Sequence, residues 1–303
     1  ITVLLIFNKM DAFEGKTLEE CLQEVPNEYR TLPAVGMCAI QGNGAKSGVF
    51  ALREAIIEHA PDEFIEDLVI VGDIVEPGST VMLVVPIDKE APKGRLILPQ
   101  VQVIRDLLDS GSYAYVVQVE ELASALANLK KPPALVITDS QAFAEVSKIV
   151  PEEIPLTGFS VLFSRFKGDL VTQVQGVKAL SRLTETSKVL IAEACTHHPI
   201  EEDIGTVKIP ALLRKSIGEN LSIDNVRGAT FPENLAEYDL VIHCGGCMFN
   251  RRRMLSRIHA CVAAGVPVTN YGLVLAYYNG VFERSIQEFQ SSLDGLTECG
   301  NEP

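Results

Sequence analysis

The residue types with the most chemical reach lie in the C-terminal third: Cys195-Thr-His197, then 45 residues, then His243-Cys244-Gly245-Gly246-Cys247. Two residues between cysteines let both sulfurs turn toward one metal, and the glycine pair permits the tight turn. Spacing alone leaves three readings open: a structural zinc site, an iron–sulfur cluster, and coincidence. Three cysteines without an evident fourth favour a cluster that leaves one iron exchangeable. Candidates for a fourth ligand are His197, His243 and Glu202, with Glu201 and Asp203 on the same loop. A carboxylate there would be a labile ligand to iron.

Plainer readings stand beside these. A lone CxxC also serves as a redox pair. His243 ends an apolar run, where a histidine is usually packed and hydrogen-bonded, or tunes a site from behind. His198 and His259 read as surface or packing residues. Cys21, Cys38, Cys261 and Cys299 read as small buried hydrophobes or inert thiols.

The elements around the motif place it. Val189–Ala192 is a predicted strand running into Cys195, and Leu240–His243 a second running into Cys244. Open α/β sheets bind ligands beyond the carboxyl ends of their strands, so neighbouring strands would unite the two halves of the motif. A helix over 251–264, a strand over 266–269 and a helix over 273–278 follow, and 170–183 is expected to be helical. Residues 65–156 alternate strand and helix: strands at 80–87, 113–118 and 134–138, helices at 99–109, 120–129 and from 140. That order implies a mostly parallel sheet covered by helices. Residues 1–64 read as a strand buried on both faces (1–7), a short strand (34–40), a loop and a helix (49–59). The expected fold class is therefore α/β, multi-domain, with mostly parallel sheets flanked by helices. The expected domains are 1–64, 65–156 and 157–303.

The chain has 303 residues, 47% of them hydrophobic, which suffices for more than one core. No apolar run reaches the roughly 18–20 residues of a membrane span. No basic start leads into an apolar segment with a cleavage site, so a reducing cytoplasm is expected. There the seven cysteines suggest metal before disulfides. The sequence opens inside a strand-like run, as though partway through a domain. The net charge of −14 argues against binding nucleic acid or anionic membranes. Yet residues 195–260 hold eight Lys or Arg and eight Asp or Glu, a neutral island in an acidic chain. Arg251, Arg252 and Arg253 follow the CxxC directly, with Arg214, Lys215 and Arg227 nearby. They are either a solvated or ion-paired face, or a cradle for an anion.

Taken together, Cys195-Thr-His197-His198-Pro199 and His243-Cys244-Gly245-Gly246-Cys247 resemble the HydF family, the maturation GTPases of FeFe-hydrogenase. Val85-Pro86-Ile87-Asp88, Ala91-Pro92-Lys93-Gly94-Arg95-Leu96, Leu98-Pro99-Gln100 and Asn270-Tyr271-Gly272 extend the resemblance over nearly the whole chain. The interval between the two histidines is short for the family. The resemblance implies a GTPase domain, a dimerisation domain and a cluster domain, with a 4Fe-4S cluster on Cys195, Cys244 and Cys247. It further implies a homodimer acting as scaffold and carrier for the binuclear iron precursor of the hydrogenase active site. That material comes from radical-SAM maturases and goes to apo FeFe-hydrogenase. Its cyanide and carbon monoxide ligands make it anionic, which gives the arginines a use.

Asn8-Lys9-Met10-Asp11 is similar to the guanine-specificity motif of GTPases, and Cys38-Ala39 to the second guanine-contacting loop. By resemblance Asn8, Lys9, Asp11, Cys38 and Ala39 contact guanine, with GTP the nucleotide of the intact parent protein. No G-x-x-x-x-G-K-[ST] loop occurs, so this chain is not expected to hydrolyse GTP. The reading from another class is a zinc-stabilised nucleotide-binding or interaction protein; a third is an enzyme working on the cluster, for which no acid–base pair stands out. The middle domain is expected to dimerise through an exposed edge strand, with 80–87 the candidate.

Overall fold

The computed structural model describes residues 3–10, 16–37, 48–59, 68–87, 95–194, 203–228, 231–232, 234–247, 249–290 and 293. The chain divides into two compact units, Ile1–Leu68 and Val69–Pro303.

In the first unit β1 (Leu5–Phe7) pairs in parallel with β2 (Ala34–Gly36), with α1 (Leu18–Gln23) between them and α2 (Gly48–His59) after. Thr17 and Glu20 form a reciprocal capping box that starts α1. The expectation of a first strand buried on both faces is corrected: Ile6 is half exposed.

The second unit holds two four-stranded parallel sheets. The first is built from β3 (Thr80–Val84), α3 (Leu98–Asp109), β4 (Tyr113–Val117), α4 (Leu122–Asn128), β5 (Leu135–Thr138), α5 (Phe143–Ile149) and β6 (Leu156–Gly158). Two helices follow, α6 (Phe159–Lys167) and α7 (Leu170–Val177). The second sheet is built from β7 (Lys188–Glu193), α8 (Ile209–Ile217), β8 (Ser222–Arg227), β9 (Leu240–His243), α9 (Arg251–Ala263) and β10 (Val268–Asn270). Two more helices, α10 (Tyr271–Tyr278) and α11 (Phe282–Ile286), complete the unit.

Both sheets have the same order. The first reads β4-β3-β5-β6 and the second β8-β7-β9-β10, each with its first and third strands adjacent at the centre. Such a sheet reverses its winding between those central strands, and the crevice beyond their carboxyl ends is where ligands bind.

Strand alternation explains how the sheets stack. Val81, Leu83, Leu135 and Ile137 face one way, as do Val189, Ile191, Leu240 and Ile242, and all join one core with helix residues such as Val103, Leu162, Ile209 and Leu273. The intervening Met82, Val84 and Val136 pack on the α4/α5 side of the first sheet. Leu190 and Val241 pack on the α9 side of the second. The sheets thus share a central helical layer, and each is covered on its far face, which is why the middles of their central strands, 81–84, 135–137, 189–192 and 240–242, are apolar at every position. Each fully buried Leu or Ile here contributes about 1.5–3 kcal/mol relative to exposure. Helix α7 lies so close to β10 that a Cβ on Gly176 would run into the Val268 carbonyl.

The expected edge strand is corrected. β3 is internal, hydrogen-bonded to both β4 and β5, so it has no free side. The open edge belongs to β4, where Tyr113, Tyr115 and Val116 are exposed. Helix 170–183 is also shorter than expected, α7 ending at Val177 with a separate 3₁₀ turn at Leu180–Arg182.

Candidate metal centre

The carboxyl ends of β7 and β9 form the crevice of the second sheet, and β7 pairs with β9 as far as Ala192 opposite His243. Cys244 follows β9 immediately. Its N–H donates to the Ala192 carbonyl at 2.9 Å, prolonging the ladder by one step. In return the Ala194 N–H donates to Cys244 Sγ at 3.0 Å. Cys195 is the next residue and lies outside the described residues, as do His197, His198, Glu201 and Glu202. The structure therefore brings the strand end that precedes Cys195 against Cys244.

The CxxC turn is shaped by Gly246, whose φ of 59° is left-handed and whose missing Cβ leaves room for the Met254 side chain. Phe249 N–H closes a turn onto the Gly246 carbonyl at 2.9 Å. Asn250 then caps α9 through the Arg253 N–H. The amino end of a 13-residue helix thus starts four residues after Cys247, and its dipole favours negative charge on that side. Cys244 and Cys247 are both of intermediate exposure.

His243 is 1% exposed. Arg257 Nη1 lies 2.9 Å from its Nε2, and a guanidinium can only donate, so Nε2 accepts. Nδ1 therefore carries the proton and donates to the Cys244 carbonyl at 2.8 Å. Burial pushes the His243 pKa down to about 4, with the Arg257 charge acting the same way. With both ring nitrogens engaged, His243 as placed offers no lone pair to a metal. His259 is exposed on α9.

On the opposite side, Lys167 at the end of α6 donates to the Cys247 carbonyl at 2.8 Å. Desolvation lowers its pKa, against the pull of Cys247.

A third group joins residues on either side of the undescribed stretch 195–202. Arg227 at the end of β8 meets Glu193 at 2.7 Å and Asp203 at 3.3 Å. These carboxylates lie on either side of residues 195–202 in the chain, so one guanidinium joins Glu193 at the end of β7 to Asp203. Asp203 also caps the following π turn, Ile204–Lys208, through the Thr206 N–H at 3.2 Å and hydroxyl at 2.6 Å. Burial pushes the Asp203 carboxyl up, but the hydrogen bonds from Thr206 and Gly205 outweigh it and hold it below the usual range. Asp203 is thereby a structural anchor as placed, and Arg227 is its partner.

The arginine triplet divides. Arg251 Nη1 donates to the Phe166 carbonyl at 2.9 Å and the Gly168 carbonyl at 3.3 Å, closing the carboxyl end of α6. Arg252 is exposed, and Arg253 stacks on Phe249 at 4.5 Å. Arg214 and Lys215 sit in the last turn of α8. Cys21 and Cys261 are buried, and burial pushes the Cys261 thiol up to about 12. Sequence reasoning missed Lys167 and Arg257, neither of which lies beside a motif residue in the chain.

In the first unit Met10 N–H donates to the Met37 carbonyl at 3.1 Å, joining the segments that follow β1 and β2. Asn8 Oδ1 accepts from the Lys9 N–H at 2.8 Å, and Lys9 has a φ of 59°. Asp11, Cys38, Ala39 and Cys299 lie outside the described residues.

Fold and site together define an α/β protein whose second unit stacks two parallel sheets, with thiols at the switch point of the second of them. The hydrogen maturase F dimerization domain matches residues 70–168, and the hydrogen maturase F tetramerization domain matches residues 171–288. The chain belongs to the hydrogen maturase F family, and its role lies in hydrogenase maturation. Both matched domains are oligomerisation domains, and they meet in the one shared core. No curated protein matches the chain. Among solved structures, a 5,10-methylenetetrahydrofolate dehydrogenase from the silkworm Bombyx mori aligns at 11% identity over 73% of this chain and 91% of that one. Its TM-score of 0.22 is too low to bear on fold or function. No helix among the described residues is long and apolar enough to cross a membrane.

Proposed function

We propose that this chain holds a 4Fe-4S cluster on Cys195, Cys244 and Cys247, and acts as scaffold and carrier in assembly of the FeFe-hydrogenase active site. It would take the binuclear iron precursor made by radical-SAM maturases and deliver it to apo-hydrogenase, in the cytoplasm and as a homodimer. The observation that carries this reading is the hydrogen bond from Ala194 N–H to Cys244 Sγ, which sets the approach to Cys195 against the CxxC turn. A sulfur that accepts a backbone N–H is stabilised as thiolate, the form that binds metal. The donor set fits the group: two part-exposed thiols on one turn, a helix amino end beside them, and buried cations behind. When bound, the cluster supplies an exchangeable iron to which a precursor can attach.

The chain's own residues do the rest. Gly246 shapes the turn, Arg227 joins Glu193 to Asp203, and His243 orients the Cys244 carbonyl. Since His243 is engaged at both nitrogens, His197 and Glu202 are the better candidates for the fourth ligand. Asn8, Lys9, Asp11, Cys38 and Ala39 are assigned to guanine, and GTP hydrolysis is not expected of this chain.

The test is iron, sulfide and zinc content after anaerobic reconstitution, on wild type and on Cys244→Ser. About four irons and four sulfides per chain, lost in the variant, support the cluster. Stoichiometric zinc without iron sinks it and leaves a structural metal site.

A further inference from the structure

We propose, on the cluster reading above, that Lys167 and Arg257 are paired positioning residues. Each ties down the main chain of one cysteine and sets a buried positive charge behind the metal–thiolate centre.

The two arrangements mirror each other. Arg257, 5% exposed on α9, donates to His243 Nε2 at 2.9 Å, and His243 Nδ1 donates to the Cys244 carbonyl at 2.8 Å. Lys167, 9% exposed on α6, donates directly to the Cys247 carbonyl at 2.8 Å. Both hydrogen-bonded paths end on carbonyls, so the two sulfurs are positioned without being consumed. Each cation is also immobilised by aromatic faces: Arg257 lies between Phe231 at 4.9 Å and Phe249 at 4.7 Å, and Lys167 lies 5.4 Å from the Phe163 ring. Arg257 further donates to the Gly228 carbonyl.

The pairing crosses the family's own division. Lys167 belongs to the segment matched as the dimerization domain, and Arg257 to that matched as the tetramerization domain. The CxxC turn is thus held from both, which gives a reason for their common core.

Charge gives the arrangement a use beyond rigidity. A centre with three thiolates is anionic, and reduction adds another negative charge. A fixed cation in a partly dehydrated setting stabilises the reduced state more than the oxidised one, raising the reduction potential. Residues that orient metal ligands from behind typically hold about 10–100-fold of metal affinity.

The experiment uses the full chain, reconstituted anaerobically with iron and sulfide. Lys167→Met, Lys167→Arg, Arg257→Met and Arg257→Lys are compared with wild type. Three quantities are read: midpoint potential by dye-mediated EPR titration, rate of iron release to a chelator, and fold by far-UV circular dichroism. The methionine variants should show a lower midpoint and about tenfold faster iron release. The charge-keeping variants should recover the midpoint, even where altered geometry keeps release fast. A folded Lys167→Met variant with the wild-type midpoint and release rate overturns the proposal. So does a midpoint that falls equally in Lys167→Arg, because the charge would then be irrelevant. If Arg257→Met does not fold, the Lys167 pair decides alone. A wild type that takes up no iron instead overturns the cluster reading, and this inference with it.

Discussion

Cys244 Sγ accepts the backbone N–H of Ala194 at 3.0 Å, a bond between residues fifty positions apart. It exists because β7 and β9 are neighbours, and they are neighbours because the second sheet reverses its winding between them. The contact therefore depends on topology: any chain whose first and third strands pair at the centre brings the loops after them together. The first sheet repeats the order and lacks thiols at the equivalent strand ends, where Val85 and Asp139 follow β3 and β5. One architecture thus carries a thiol-bearing crevice in one copy only.

The cysteines should sort by position. Cys244→Ser and Cys247→Ser should lose reconstituted iron, while Cys21→Ala and Cys261→Ala should keep it. Chemical reactivity offers an independent check on the iron-free protein. Cys261 is fully buried and its thiol is pushed up to about 12, so it stays protonated across the working range. Iodoacetamide at pH 8 should label Cys244 and Cys247 in the folded chain and leave Cys261 untouched until denaturant is added. Labelling of Cys261 at the rate of the other two would show the site is misplaced.

Self-association should run through β4. Tyr113 N–H donates to the Ser79 carbonyl and Val85 N–H to the Val117 carbonyl, so residues 113, 115 and 117 address β3. By alternation the main-chain groups of Ala114 and Val116 point to the open edge. Val116→Pro removes an outward N–H without breaking a bond to β3. Light scattering at micromolar concentration should move from dimer toward monomer, with circular dichroism retained. An unchanged dimer would place the interface elsewhere.

The arginine triplet should separate into one structural member and two others. Arg251 closes α6 through the Phe166 and Gly168 carbonyls, and hydrogen bonds to a charged group are worth about 1.5–3 kcal/mol. Arg251→Ala should cost that much in denaturant unfolding. Arg252 is exposed, and its alanine variant should fall within about 0.5 kcal/mol of wild type. Equal costs would contradict the cap. Precursor loading measured on the same variants tests whether Arg252 and Arg253 carry the anion instead.

Much of this was legible in the residues. The runs at 189–192 and 240–242 are apolar at every position because both faces of each strand are covered, and such runs stand out against turns. Their ends at Cys195 and Cys244 pointed to the crevice. β8 was not legible: Ser222–Arg227 is a polar edge strand with no apolar alternation. β6 has three residues, too few for any pattern. The wrong edge strand has a different cause, since a run of apolar residues reveals burial but not its place in the sheet order. Lys167 is 80 residues from Cys247, and its role depends wholly on how α6 packs. The neutral island around the motif was visible, yet Arg227, Arg251 and Arg257 are each committed to partners that only the tertiary fold supplies.

Arg227 offers the last prediction. It joins Glu193 and Asp203, which are 5% and 8% exposed at their side chains, while its own side chain is 33% exposed. Removing a cation from two nearly buried carboxylates leaves uncompensated charge, a penalty of about 3–5 kcal/mol when burial is complete. Partial exposure of the guanidinium screens this, so Arg227→Met should cost on the order of 2–3 kcal/mol. Because these carboxylates flank Cys195 in the chain, iron retention should fall as well. Adding Asp203→Asn to Arg227→Met removes one of the stranded charges, and should recover part of the stability. A double variant no more stable than the single one would mean the cost of losing Arg227 is not electrostatic, and its role as the bridge between Glu193 and Asp203 would have to be abandoned.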